Sequence, residues 1–184
     1  MYIVVVGGLL FLAFAYFAVG QAVANRSDAQ GAADAAALAA AGAARSHIAD
    51  ELLGDDLDLE ELEELIEGQL FPTADGCAEA DIFANKNGAD AQSCTRLALP
   101  QQGFEVDVKV RRSVGSSIIP GTEGKRSSAS AEAVIEPKCT LKTEPADASD
   151  PIELTCDGED LVIDPEEDDP LPRLGDLFTV RLTN

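Results

Sequence analysis

Residues 21–41 read QAVANRSDAQGAADAAALAAA, and this stretch decides the fold. Alanine is the strongest helix former, and no proline interrupts Ala22–Leu53. Ala32, Ala33, Ala35, Ala36, Ala37, Ala39, Ala40 and Ala41 leave Leu38 as the single large side chain of the run, with Gly31 and Gly42 as mild interruptions. A helix this smooth lets a neighbour approach closely, but each contact buries little area. Such a face suits a helix lying on its own domain's sheet and a helix packed against other subunits equally well.

On the N-terminal side the helix continues into apolar sequence. Between Met1 and Asn25 there is no charged side chain, and Val4, Val5, Val6, Leu9, Leu10, Phe11, Leu12, Phe14, Tyr16 and Phe17 supply a greasy surface. As a helix, Met1–Ala24 is roughly 36 Å long against a hydrocarbon core of roughly 30 Å. The segment is therefore expected to span a bilayer. Ala22-Val23-Ala24 also fits the small-residue pattern ahead of a signal-peptidase cut. That pattern keeps a second reading open, in which the segment is removed after Ala24. The apolar run carries no preceding Lys or Arg, so a natural start upstream of Met1 is expected.

On the C-terminal side lie the features of a small exported domain. The chain has 184 residues, 34 acidic and 13 basic, for a net charge of −21. That balance excludes nucleic acid, whose binding rests on Lys and Arg neutralising phosphates. It should also repel anionic membrane surfaces away from the anchor. Aromatics are few and Trp is absent, which implies a thin core. Cys77, Cys94, Cys139 and Cys156 all follow the export-type segment, so disulfides are expected. Of three pairings, Cys77–Cys94 with Cys139–Cys156 is preferred, since each closes a local loop. Zinc is the rival use, but no Cys-x-x-Cys spacing is present. Disulfides in turn place the domain outside the cell, while Arg26 alone near the exit gives the positive-inside rule little to act on.

Asp50–Glu67 holds Leu59, Leu62, Leu65 and Ile66 at helical spacing, which predicts a short acidic helix. Cys77–Asn85 predicts another, ended by Asn87-Gly88, with a strand over Cys94–Leu99. Phe104, Val106, Val108 and Val110 alternate with Glu105, Asp107, Lys109 and Arg111, the mark of a half-buried antiparallel strand over Gly103–Ser113. Val114–Lys125 reads as a loop with Ile118-Ile119 at its tip, and Ser127–Glu136 as a second strand with Ala129, Ala131, Ala133 and Ile135 on one face. Ile152–Cys156 and Leu161–Ile163 should pair across Asp157-Gly158, and Leu177–Leu182 is expected as an edge strand. The acidic cluster Glu166–Asp169 lacks the alternate-ligand pattern of a calcium loop and reads as solvated.

With the run at residues 21–41 and the apolar segment before it, the chain resembles the TadE/TadG-like proteins of Flp, or tight-adherence, pilus assembly systems. Arg26, Gln30, Asp34 and Leu38 carry the family's spacing, one residue in every four along one helical row. The resemblance covers roughly residues 3–45. It implies a pseudopilin-like envelope protein; members of the family carry a short polar leader ahead of the apolar helix, a pattern from which this sequence departs. The fold expected is α+β and pilin-like: a long membrane-spanning helix, continuing as an Ala-rich helix, packed on a small antiparallel sheet. The expected organisation is an anchor over 1–24, Ala-rich and acidic helices over 25–70, and an extracytoplasmic β domain with cysteine pairs over 71–184. The expected partners are the lipid bilayer and other pilin-like subunits or pilus-assembly proteins, with no nucleic acid and no small-molecule substrate.

No catalytic, cofactor or metal site is read from the sequence. His47 stands alone beside Ser46, Gly7-Gly8 lies inside the apolar helix, and carboxylates are too numerous for any pair to inform. The leading expectation is a non-enzymatic, single-pass assembly component of the cell membrane. The alternatives are a secreted or surface-bound acidic binding module with a cleaved signal peptide, and an acidic envelope protein that binds cations weakly.

Overall fold

The computed structural model describes residues 2–52, 64, 76–98, 101–113, 124–143, 150–164 and 177–183, with backbone alone over 48–52. Helix α1 runs from Tyr2 to Leu52, 51 residues without a break at Gly20, Gly31 or Gly42. At 1.5 Å per residue it is about 76 Å long. Its two halves live in different surroundings. From Tyr2 to Ala24 no side chain is buried, whereas Asn25, Ala29, Ala32, Ala33, Ala36, Ala37, Ala40, Ala41 and Ala44 are. These positions form two adjacent rows of spacing four, one through 25, 29, 33, 37 and 41, the other through 32, 36, 40 and 44.

The buried rows rest on a four-stranded antiparallel sheet. Strands β1 (Ala89–Arg96), β2 (Gly103–Val110) and β3 (Ser128–Pro137) follow one another, and β7 (Phe178–Leu182) adds beside β3. On the face toward α1, Phe104 is opposite Ala133, Val106 opposite Ala131 and Val108 opposite Ala129. Each pair sets a large side chain on β2 against an alanine on β3. That difference lets the alanine rows of α1 settle over β3 while the valines fill the space beside it. Full burial of one such side chain as large as Phe104 stabilises by about 1.5–3 kcal/mol, so a core this thin rests on few of them.

A second helix, α2 (Cys77–Lys86), packs on α1 through Ala80 and Ala84, both fully buried. It enters through Gly76, where a Cβ would stand 2.2 Å from the backbone oxygen of Ala40. No side chain fits there. Strand β1 begins directly after the turn at Asn87-Gly88, and its pairing slips after three residues. The slip is a bulge between Ala91 and Ser93. Before it Ala89 and Ala91 face the core; after it Cys94 does, rather than Ser93. The inserted Gln92 thereby turns Cys94 toward α2, where it is bonded to Cys77 with Cα atoms 5.8 Å apart.

Past β3 the chain changes sheets across Lys138. Strands β4 (Cys139–Leu141), β5 (Ile152–Cys156) and β6 (Glu159–Ile163) form a three-stranded antiparallel sheet whose inward face carries Cys139, Ile152, Leu154 and Ile163. Cys139 and Cys156 are direct cross-strand partners and are bonded, Cα atoms 4.0 Å apart. Asp157 and Gly158 turn between β5 and β6 with φ of 50° and 89°, the positive pair a two-residue hairpin of this kind requires.

The long helix packed on antiparallel sheets is the α+β arrangement expected. Most boundaries agree within two residues, and two strands differ by more. The strand expected over Cys94–Leu99 begins earlier, at Ala89, and ends at Arg96; the one expected over Gly103–Ser113 stops at Val110. Of the acidic helix expected over Asp50–Glu67, residues 50–52 form the end of α1 and Glu64 is helical, while the rest lies outside the described residues, as do the Ile118-Ile119 tip and the Glu166–Asp169 cluster.

Candidate functional site

The exposed half of α1 and its junction with the domain are where this fold departs from an ordinary soluble protein. Tyr2 is 89% exposed, and Ile3, Val4, Leu9, Phe11, Leu12, Phe14, Tyr16, Phe17 and Val23 are also strongly exposed. Water would make such a surface costly, at roughly 25 cal/mol per Å² of apolar area. The helix is long and apolar enough to cross a membrane.

Asn25 marks the point where the helix enters the domain. It is 3% exposed, and both ends of its amide are used. Its Nδ2 donates to the Arg112 carbonyl at 3.1 Å, and its Oδ1 accepts from the Ser127 N–H at 3.2 Å. One turn further, Asp28 Oδ2 meets Arg112 Nη2 at 2.6 Å. Together these contacts tie both ends of the β2–β3 connection to one turn of α1. A cleft of about 600 Å³ opens beside them, lined by Asn25, Asp28, Lys86, Asn87, Gly88 and Arg112 among others.

The row Arg26, Gln30, Asp34 and Leu38 does not enter the core. It sits one residue, about 100° of helix, from the buried row that starts at Asn25. Arg26 and Gln30 are exposed, Asp34 is half-buried and Leu38 is 37% exposed. Gln30 Nε2 donates to Asp34 Oδ1 at 2.8 Å and reaches the Ser130 carbonyl at 3.4 Å, so this pair runs along the seam between α1 and β3. The structure does not gather the four into one pocket. The residue the sequence reading passed over is Asn25. Its signal was its place in the row 25, 29, 33, 37, 41, where every other member is alanine.

Charge-shifted groups are remote from this junction. A hydrogen bond from Arg181 holds the Glu136 carboxyl below its ordinary value, and Lys142 does the same to Asp160, again chiefly by hydrogen bonding. His47 is exposed on α1. Among the described residues no three His, Cys, Asp or Glu side chains come together as a metal cluster.

Residues 1–44 match the model of a family described as putative Flp pilus-assembly TadE/G-like. The match takes in the exposed apolar half of α1 and the alanine rows as far as Ala44, and ends before the sheet. The resemblance read from the residues is thus to the family whose model matches. No curated protein and no solved structure matches the chain.

Proposed function

We propose that this chain is a membrane-anchored, non-enzymatic, pseudopilin-like component of a Flp or tight-adherence type pilus assembly or secretion system. The observation that carries the reading is the coincidence within residues 1–44 of the family match, an apolar helical segment with no buried side chain over Tyr2–Ala24, and an alanine seam built for close packing. In this reading residues 1–24 cross the cell membrane once. Residues 25–70 supply the Ala-rich and acidic helices, the former packed on the sheet, and residues 71–184 the extracytoplasmic β domain stapled by its two disulfides. The bilayer is the first partner, and other pilin-like subunits or pilus-assembly proteins are the second. Genetic complementation tests it. In a host that depends on this chain for piliation, the full chain restores pili to a deletion strain. Residues 25–184 exported behind a cleavable signal peptide should not, and pili restored by that truncated form would sink the anchored reading.

A second reading, a secreted or surface-bound acidic binding module cut after Ala24, has one observation in its favour. Burial begins at Asn25, so loss of residues 1–24 would leave every core contact in place. The two readings part on which N-terminus the native protein carries.

A further inference from the structure

In a chain of net charge −21, six of the 13 Lys and Arg side chains surround the level where α1 leaves its apolar half. Arg26 follows Asn25 directly, and Arg112 holds Asn25 through its carbonyl. Arg111 adjoins Arg112 and is tied to the Asn85–Gly88 turn, its Nη2 donating to the Asn85 carbonyl at 2.6 Å. Lys125 and Arg126 precede Ser127, whose N–H also binds Asn25. Lys86 lines the same cleft. All six are exposed.

Their pairing sets them apart from the basic residues around β4 and β7, although Arg45 and Lys109 are also in no ion pair among the described residues. Lys138, Lys142 and Arg181, on β4, β7 and the adjoining turns, are each in an ion pair, with Asp157, Asp160 and Glu136. At the junction Arg111 and Arg112 are paired with Asp90 and Asp28, but among the described residues Arg26, Lys86, Lys125 and Arg126 are in no ion pair. The junction is therefore a net positive collar on an otherwise acidic protein.

Position says what the collar faces. From Tyr2 to Asn25 the helix rises about 35 Å, a little more than a hydrocarbon core of about 30 Å. With the span in a bilayer, the collar stands at the headgroups. We infer that it docks on the anionic phosphates of phospholipid headgroups, holding the β domain against the membrane surface. This rests on the anchored reading above. The domain lies to one side of α1, over its buried rows, so the collar is off the helix axis. Because α1 is continuous, pulling that side toward the lipid tilts the whole rigid body. The collar does not compete with the signals that set membrane orientation. Those are counted within about 15–20 residues of the span, and five of the six residues are far from it in sequence and meet only on folding. Each basic side chain beside an anionic surface shifts the docked-to-lifted ratio about fivefold at moderate salt.

The chain has no Trp, so one introduced Trp reports its own distance from the lipid. Ser128→Trp, at the exposed start of β3, is placed in full-length protein in nanodiscs carrying a headgroup-attached quencher. The discs are either pure phosphatidylcholine or contain about a third phosphatidylglycerol. Co-elution with the disc reports anchoring, whatever the collar does. The expected result is stronger quenching in the anionic discs at low salt, lost at high salt. It should also be lost in the triple variant Lys86→Gln, Lys125→Gln, Arg126→Gln, which breaks no ion pair among the described residues and shifts the ratio about a hundredfold. Equal quenching in both discs, or a phosphatidylglycerol effect that survives the triple variant, overturns the inference while leaving the anchor intact. Quenching that depends on the collar charges only when two chains share a phosphatidylcholine disc would assign the collar to an acidic protein face, and would overturn it too. Failure to co-elute with discs at all would instead remove the anchored reading.

Discussion

Asn25 bears more of the junction than its size suggests. Its amide satisfies a carbonyl and an N–H at opposite ends of the β2–β3 connection. Asn25→Ala leaves both without that partner, and a part-buried polar group left so costs about 1–3 kcal/mol. A clear fall in the thermal midpoint of the outer domain, followed by circular dichroism in detergent, is the expected outcome. Asn25→Asp should not rescue it, because a carboxylate cannot donate to the Arg112 carbonyl. The glycines make an opposed pair. Gly76→Ala drives a Cβ into the α1 backbone at Ala40 and should destabilise, while Gly42→Ala meets nothing within 4 Å and should stabilise by about 1 kcal/mol as a helix-interior replacement. Equal effects at the two sites would contradict the close approach of α2. Glu136 gives a pH signature. Its folded pKa lies below the ordinary carboxylate value of 4.5, so the stability it adds is present above that value and is lost as pH falls through the folded pKa. The Tm difference between wild type and Glu136→Gln should accordingly be present at neutral pH and vanish in acid. A difference that grows in acid would mean the pair is not what lowers the carboxyl.

The elements that announce themselves in the sequence are those whose period is clean. Alternation over Phe104–Val110 and over Ala129–Ile135 yields β2 and β3, and the alanine run yields α1 through Gly31 and Gly42. Strand β1 is harder to read for a physical reason: the extra residue at Gln92 moves its core face from odd to even numbers midway. Strand β4 is three residues long, too short to carry a period. The row Arg26, Gln30, Asp34 and Leu38 is conspicuous because it is polar and regular, yet the neighbouring row does the packing. Asn25 was hidden because a polar side chain at the end of an apolar segment reads as solvated. Packing of α1 is tested by Ala37→Leu, which forces a larger side chain into a fully enclosed position and should cost about 1–3 kcal/mol. Leu38→Ala, one residue on and partly exposed, should stay within about 0.5 kcal/mol. The reverse order, read from the same melting curves, would show that the wrong helical face has been assigned to the core.

At the scale of the whole molecule, an apolar rod continues as the central helix of a small domain, and charge is sorted along it. The thin core, rich in alanine and short of large side chains, leaves the domain dependent on its staples. Reduction of Cys77–Cys94 and Cys139–Cys156 should each remove about 2–4 kcal/mol, and peptide mapping of exported protein should recover both pairs with no free thiol. The central claim is that the exposed half of α1 is retained as an anchor and works with the domain as one body. Intact mass of the native protein, taken from carbonate-washed membranes and from culture fluid, tests it most directly. The account predicts a membrane-bound species whose mass includes the whole of Tyr2–Ala24. A species beginning at Asn25 and recovered in the culture fluid would contradict it.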